Sequence, residues 1–275
     1  LPVFDFYFVY IGMKVFSSVP DFTSKVFRVI FCLVFVLKYF LSVLSGGEKC
    51  VSCGKKVFVV PFCSSCIKRL LKRANPLLKN CKICGKPLVS EIGLCSACRE
   101  SPVLKNTDGV YPLLTYRMWK KKLLFSWKMQ EKRSLSSFFA MLIKEKIVEL
   151  EYENCCSLPV VPVPPRPEKI REKGWDQIDE ICTFLDKGWK IEILKILKRN
   201  SKTQQKKLDR VQRLEGIGTA YSLAAERKLS KMKIPKKVIL IDDVLTTGST
   251  VENCAALLKK VGVEKVFVIT LFIVD

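Results

Sequence analysis

Two adjacent carboxylates, Asp242 and Asp243, are followed closely by a loop of hydroxyl side chains and one glycine. Carboxylates accept hydrogen bonds from sugar hydroxyls and help to hold Mg²⁺, whereas hydroxyls and backbone N–H groups at a helix start hold phosphate. The pattern therefore predicts a sugar-phosphate site. An ordinary turn capped by the Asp pair is the alternative, which we rank lower because all these features coincide in one short stretch. The loop residues are Thr246, Thr247, Gly248, Ser249 and Thr250.

A predicted strand precedes this stretch and a predicted helix follows it, and the two would hold it in position. The aliphatic run Val238–Ile241 predicts a strand buried on both faces, which ends at the carboxylates. After the loop, an amphipathic helix is predicted, with apolar residues on one face. These residues are Val251, Cys254, Leu257 and Leu258. Other phosphate motifs do not fit, because no Walker A loop occurs and Gly216 and Gly218 lack the third glycine of a dinucleotide fingerprint.

The second candidate chemistry is metal binding by cysteine pairs. The chain has 13 cysteines. Eight of them form four C-x-x-C pairs, which fall into two sets of two pairs each. Two such pairs complete a tetrahedral zinc site that has no open position, so we expect structural zinc. A redox role is the competing interpretation, but redox C-x-x-C motifs occur singly in a βαβ setting. The sets are Cys50, Cys53, Cys63 and Cys66, and then Cys81, Cys84, Cys95 and Cys98.

Composition narrows the classes of partner and of catalysis. The 275-residue chain carries 48 Lys and Arg against 26 Asp and Glu, a formal net charge of +22. This excess indicates polyanionic partners, unless it reflects an even bias toward lysine. The chain has 0 histidines, which excludes histidine acid–base catalysis, Ser-His triads and histidine metal sites.

Basic residues interleaved with aromatic ones follow the predicted strand Val110–Tyr116. This pattern is suited to nucleic acid, because lysines contact phosphates while aromatic rings stack on bases. The alternative is an amphipathic helix with its aromatic residues in the core and its lysines in water. A further helix is predicted over Leu135–Leu150. The candidate nucleic-acid contacts are Arg117, Lys120, Lys121, Lys122 and Lys128.

A proline-rich, basic loop follows a second apolar run, Val160–Val163. Prolines there fit a strand end that opens into a ligand loop. Ile191–Lys198 and Lys265–Ile273 are predicted as further strands, whereas Lys202–Arg213 is expected to be helical or mobile and to fold over a substrate. The candidate anion ligands of the loop are Arg166, Lys169, Arg171 and Lys173.

Residues 1–45 are hydrophobic, and two basic residues interrupt their longest apolar run. We expect Val36–Leu44 to form a short helix that packs on the following domain, with membrane anchoring as the alternative. Because the chain starts at Leu1, we expect either that part of residues 1–30 is upstream sequence or that Leu1 represents an alternative start codon.

Lys237–Thr250 resembles the phosphoribosyl-pyrophosphate (PRPP) motif of type I phosphoribosyltransferases. The resemblance implies that Asp242 and Asp243 contact the ribose hydroxyls, that Thr246–Thr250 binds the 5′-phosphate, and that the basic loop occupies the position of a pyrophosphate loop. From about Val36 onward, the chain resembles the ComF family of double-zinc-ribbon, phosphoribosyltransferase-like proteins. A family pattern of Arg, Thr, Gln, Leu and Arg is matched approximately by Arg199, Thr203, Gln205, Leu208 and Arg213.

Three positions depart from the family. Lys173 and Asp176 stand where the family's Arg-Gly-Phe-Asn-Gln element has Arg and Asn, and Gly216 replaces a usual Asn. The aspartate is expected to weaken anion binding unless it holds a metal or a sugar.

The resemblance implies an α/β fold: a type I phosphoribosyltransferase-like parallel sheet flanked by helices, preceded by a small double zinc-ribbon module in which four cysteines hold each zinc. The expected domains are 1–45, 46–100 and 101–275. The expected function is binding of PRPP with Mg²⁺, linked to DNA uptake, with transfer of phosphoribose to an unknown acceptor. The alternative is a non-catalytic adaptor for single-stranded DNA. Proteins of the competence machinery are expected partners, and the cytoplasm is the expected location.

Overall fold

The structure is a computed structural model that describes residues 36–37, 39–58, 61–71, 79–116, 119–200, 220–224 and 233–274. Its contacts divide the chain into two compact units, Leu1–Ala74 and Asn75–Asp275. The division lies between the two cysteine sets, so each set belongs to a different unit. The domain boundaries at 45/46 and 100/101 stay predictions.

The first unit contains a small hairpin and one helix. Strand β1 (Glu48–Lys49) pairs antiparallel with β2 (Lys56–Val57), and helix α1 spans Ser64–Leu71. Residues 39–44 are helical, as predicted, and the ring of Tyr39 packs edge-on against Phe58 at 5.9 Å. Leu44 is 81% exposed, so the expected packing of this segment is only partial. Among the described residues, no helix is both long and apolar enough to span a bilayer.

The second unit alternates strands and helices after a short first helix. Its helices are α2 (Ser96–Glu100), α3 (Trp119–Lys128), α4 (Ser134–Asn154), α5 (Pro167–Lys173), α6 (Gln177–Trp189) and α7 (Ser249–Lys260). Its strands are β3 (Gly109–Thr115), β4 (Val160–Pro162), β5 (Leu197–Arg199), β6 (Tyr221–Leu223), β7 (Lys237–Leu245) and β8 (Lys265–Ile273).

Four strands form a parallel sheet in the order β3-β8-β7-β4. Strand β8 is buried at every residue after Lys265, and β7 is buried at residues 238–241 and at Leu245, because helices cover the sheet. Helix α7 packs against β7 and β8, α4 packs against β8, and α6 packs against β7 and β4. The ring of Phe139 in α4 meets that of Phe272 in β8 at 5.7 Å. The predicted parallel sheet with flanking helices is therefore confirmed.

Most predicted elements of this unit are confirmed, since the strands at residues 110, 160 and 265 and the helix at residue 135 all form. The predicted strand Ile191–Lys198 is shorter than expected. Ile193 makes an isolated bridge to Val160, and β5 pairs antiparallel with β6 in a separate two-stranded sheet. The predicted segment Lys202–Arg213 lies outside the described residues.

Candidate functional site

A cavity of about 640 Å³ opens where the carboxyl ends of β4 and β7 meet. Ligands of open parallel sheets bind at this edge, because several strands end there together. Its polar and charged lining residues come from six helices or strands and the loops beside them. They are Lys128, Arg166, Glu168, Glu172, Asp176, Arg199, Tyr221, Asp242, Asp243, Thr246 and Thr250.

The predicted acidic pair lies in the last part of β7 and lines this cavity. A side-chain oxygen of Asp242 accepts the N–H of Asp243 at 2.8 Å, and the carboxylate of Asp243 lies 2.5 Å from the amine of Lys128. Burial, followed by the negative charge of Asp243, raises the pKa of Asp242 to about 8. A bound cation would reverse this shift, because it favours the ionised form.

The predicted phosphate loop connects β7 to α7. Gly248 occupies the N-cap of α7 with φ of +84°, a left-handed conformation that favours glycine. The hydroxyl oxygens of Thr247 and Ser249 lie 3.0 Å apart, and Thr246 and Thr250 line the cavity. The first N–H groups of a helix have no partner within that helix, so the loop offers both backbone and side-chain donors to an anion.

Helix α7 is anchored by the apolar face that the sequence predicts. Val251, Cys254 and Leu258 are at most 1% exposed and Leu257 is 9% exposed, and all four belong to the core that includes Val238 of β7. The buried face fixes the start of the helix beside the end of β7, and so places the loop at the cavity.

Lys128 has a different setting from the one we expected. We expected Lys128 to contact nucleic acid, but it lines the cavity and its amine pairs with the carboxylate of Asp243. The two residues lie on α3 and β7, which are far apart in sequence. Local pattern therefore carries no signal for this pair.

Lys120, Lys121 and Lys122 lie along α3 and are not among the residues that line the cavity. Lys121 and Lys122 are exposed, and the amine of Lys121 lies 5.7 Å from the centre of the Tyr116 ring. Lys120 is partly buried, and burial lowers the pKa of its amine. Arg117 lies outside the described residues.

The predicted anion loop is only partly directed into the cavity. Arg166, at the N-cap position of α5, lines it. Lys173 instead donates to the carbonyl of Lys128 at 3.0 Å and lies 3.4 Å from the carboxylate of Glu131. Arg171 is exposed and is absent from the lining, and the side chain of Lys169 lies outside the described part of the structure. The anion-binding roles stay predictions.

Asp176 has a structural role that the sequence analysis missed. It is 7% exposed and caps α6, accepting the N–H groups of Ile178 at 2.8 Å and Asp179 at 3.1 Å. A helix N-terminus favours a negative charge. The sequence does carry a signal for this role, namely an aspartate directly before an amphipathic helical pattern.

A further missed pair is Arg199 with Tyr221, on neighbouring strands β5 and β6. The guanidinium donates to the phenol oxygen at 2.6 Å and lies 4.9 Å from the ring centre. Burial raises the pKa of Tyr221, so its hydroxyl stays protonated. The pair supplies hydrogen-bond donors to the cavity wall.

Among the described residues, acidic side chains outnumber basic ones in the lining of the cavity. There are five acidic groups, of which Asp242 is mostly protonated near neutral pH because its pKa is raised to about 8, against three cations, on Lys128, Arg166 and Arg199. An anionic ligand therefore meets net repulsion unless a cation binds with it.

Both cysteine sets converge to within metal-binding distance. In each set, all four sulfur atoms lie within 4.8 Å of one another. The sulfurs of Cys53 and Cys63 are 3.6 Å apart, and those of Cys84 and Cys95 are 3.7 Å apart. Zn–S bonds of about 2.3 Å in a tetrahedron give an S···S distance of about 3.8 Å, so both sets fit zinc.

The first thiol of each set has a pKa below its ordinary value. Burial acts to raise the pKa of Cys50 and Cys81, but hydrogen bonds from nearby backbone N–H groups outweigh it and lower each pKa to about 7. Thiolates are the form that binds zinc. Because the pKa is lowered in the same way at Cys50 and at Cys81, both sets have a first cysteine that is suited to bind zinc as a thiolate.

Comparisons with known proteins agree with this architecture. The model of the phosphoribosyl transferase domain family matches residues 185–274. Competence protein F of Haemophilus influenzae is 28% identical over 226 residues, covering 79% of this chain and 93% of that protein. Competence protein ComFC of Streptococcus pneumoniae is 25% identical over 236 residues, covering 79% of this chain and 96% of that protein. These matches confirm the resemblance of this chain to the ComF family of competence proteins.

Proposed function

We propose that this protein binds PRPP as its Mg²⁺ complex in the cavity at the end of β7. One observation carries the proposal: the carboxylates of Asp242 and Asp243 and the loop that ends at Thr250 meet at that single cavity. The ribose hydroxyls would donate to the carboxylates, while the N–H groups and hydroxyls of the loop would hold the 5′-phosphate. The match to a phosphoribosyl transferase domain supports this assignment.

The charge of the cavity supports a requirement for Mg²⁺. Five carboxylates face three cations there, so a highly charged pyrophosphate needs an accompanying cation. Oxygen ligands are those that Mg²⁺ prefers, and it commonly binds one or two carboxylates together with substrate phosphates. Asp242 and Asp243 are the residues that would hold it.

If transfer occurs, the acceptor attacks the anomeric carbon of PRPP, a bond to the acceptor forms, and the bond to pyrophosphate breaks. Mg²⁺ would neutralise charge on the leaving pyrophosphate. Arg166 and Arg199 also line the cavity and would donate hydrogen bonds to it. The acceptor nitrogen attacks with its lone pair, and a proton that it loses passes to solvent or to the leaving pyrophosphate, so the step suits a chain without histidine.

The Mg²⁺ requirement and the transfer step are tested separately. We expect PRPP to bind at least tenfold more tightly with Mg²⁺ than with a chelator, and equal affinity would refute the metal-bridged site. Pyrophosphate release is then followed with PRPP and a panel of nucleobases, amines and single-stranded DNA. Release that depends on one acceptor supports transfer, whereas binding without release assigns the cavity to recognition alone.

The two cysteine sets are proposed to hold one structural zinc each. Each has four sulfur ligands at tetrahedral spacing, and such closed sites stabilise folding instead of catalysing a reaction. Clustered thiolates are typical of reducing compartments, so the proposal includes a cytoplasmic location. Cell fractionation of the full chain tests it, and recovery in a membrane pellet after a high-salt wash would contradict it.

A second candidate function, binding of single-stranded DNA as an adaptor to other competence proteins, is favoured by α3. Phe125 is 54% exposed, and the exposed Lys121 and Lys122 lie on the same short helix. An exposed ring beside lysines can stack on a base while the amines contact phosphates. Trp127, by contrast, is fully buried and donates to the hydroxyl of Ser136 at 2.8 Å, so it belongs to the core.

The adaptor function is tested with a fluorescent oligonucleotide titrated at several salt concentrations. Phe125→Ala should weaken binding, because stacking on one base contributes about 1 to 3 kcal/mol. The exposed Met129→Ala on the next turn is the matched control, since it removes exposed apolar area without a ring. Absence of wild-type binding at low salt would remove this function.

A further inference from the structure

The second cysteine cluster (Cys81, Cys84, Cys95 and Cys98) is built into the core that carries the phosphate loop. Ile83 and Cys84 pack against the small core of this cluster and also against the main core of the sheet. At Gly85, an added Cβ would lie 2.3 Å from the carbonyl oxygen of Val110. The backbone of the cysteine knuckle therefore lies directly against β3.

The segment that follows the cluster, residues 101–106, packs against the phosphate loop through Leu104. Leu104 is 8% exposed, and its Cδ2 lies 3.0 Å from the position that a Cβ on Gly248 would take. Cys84, Cys95 and Cys98 also line an apolar cavity of about 420 Å³ together with Thr247 and Gly248. The cluster and the loop thus line the same cavity.

A polar contact fixes the same segment to the first turn of α7. The carboxylate of Glu252 accepts the N–H of Lys105 at 2.8 Å, the N–H of Asn106 at 3.1 Å and the side-chain amide of Asn106 at 2.6 Å. Three donors therefore converge on one carboxylate that is not among the residues lining the 640 Å³ cavity. A carboxylate here also favours the N-terminal turn of the helix.

We propose that the second cysteine cluster, acting through Leu104 and the Glu252 contact, positions the phosphate loop, and that Glu252 is a positioning residue for 5′-phosphate binding. Zinc in this cluster holds the four cysteines together, which fixes the segment that supports Gly248 and α7. Loss of that zinc releases the loop, so the metal state of this cluster sets the affinity for the sugar phosphate. The inference rests on the proposed function of the cavity.

The first test uses Glu252→Gln in the full chain, because glutamine keeps the size but replaces one acceptor oxygen with a donor that faces N–H groups. The affinity for Mg²⁺–PRPP should fall about tenfold, while the affinity for Mg²⁺–pyrophosphate, which does not need the 5′-phosphate loop, stays within about twofold. Glu264→Gln, an exposed residue paired with Lys236, is the control for the same chemical change. An equal loss for both ligands would indicate general damage and overturn the positioning role.

The second test reads the loop without any ligand. Cys84→Ser should remove one zinc per chain and raise amide hydrogen exchange at residues 246–252. Cys53→Ser removes one zinc from the other cysteine set and should leave exchange at these residues unchanged. Unchanged exchange in Cys84→Ser, or an equal rise in both variants, would overturn the inference.

The outcomes separate this inference from the proposed function. If the wild type binds no Mg²⁺–PRPP, the proposed function fails and the inference that rests on it fails with it. If the wild type binds and Glu252→Gln binds equally well, only the positioning role fails.

Discussion

Replacing Gly248 with alanine tests how tightly the phosphate loop is held against its support. The residue has φ of +84°, a conformation that costs a residue with a Cβ about 1 to 2 kcal/mol. The new methyl group would also lie 3.0 Å from Cδ2 and 3.2 Å from Cγ of the buried Leu104. Overpacking of this kind costs about 1 to 3 kcal/mol, so the free energy of unfolding should fall by about 2 to 5 kcal/mol.

Gly262→Ala is the matched control, because Gly262 has φ of +99° and no atom within 4 Å of the added Cβ. Urea denaturation of both variants separates backbone strain from the contact with Leu104, and Gly248→Ala should be the less stable by about 1 to 3 kcal/mol. Adding Leu104→Ala to Gly248→Ala should recover part of that difference in a double-mutant cycle. Equal stability of the two glycine variants would refute the close contact between Leu104 and the loop.

Three further predictions concern the cavity. Because the pKa of Asp242 is about 8 in the folded protein against an ordinary 3.8, the unfolded chain ionises first and the wild type loses stability as pH rises between these values. Asp242→Asn should therefore gain stability over the wild type from about pH 6 to about pH 8 in urea denaturation, and a constant difference would contradict this. Lys128→Met should weaken Mg²⁺–PRPP binding about tenfold by calorimetry, whereas Lys121→Met, which removes the same charge from an exposed site, should not; equal effects would place Lys128 outside the site. Asp176→Ala should lower the free energy of unfolding by about 1 kcal/mol through loss of the helix cap, and Asp176→Asn by much less, so an equal loss would contradict the capping role.

Local sequence patterns were sufficient where a feature depends on neighbouring residues. The apolar run Val238–Ile241 predicted a buried strand, the i, i+3, i+6, i+7 spacing from Val251 predicted the buried face of α7, and the C-x-x-C pairs predicted both sulfur clusters. In each case the period or spacing of side chains is itself the structural signal.

Contacts between distant segments could not be predicted in this way. The pairing of Lys128 with Asp243, and that of Arg199 with Tyr221, depends on how the strands are ordered in space. The same holds for Glu252, whose acceptor role appears only once residues 105 and 106 are placed beside α7. A single sequence shows that Lys128 is basic, but not which carboxylate it faces.

The charge of the cavity lining differs from that of the chain as a whole. Carboxylates outnumber cations among the lining residues, although the chain as a whole carries a formal net charge of +22. Among the described residues, most basic side chains therefore lie outside the cavity, where they can attract polyanions. Recognition of a phosphorylated ligand inside the cavity depends instead on Mg²⁺, the loop and a few placed cations.

Calorimetric titration of Mg²⁺–PRPP into the wild type and into the Asp242→Asn/Asp243→Asn double variant shows whether the acidic pair binds this ligand. We expect saturable binding by the wild type and a loss of at least a hundredfold in affinity in the double variant, with zinc content unchanged. Absence of wild-type binding, or equal affinity in the two proteins, would contradict the assignment of this cavity to PRPP.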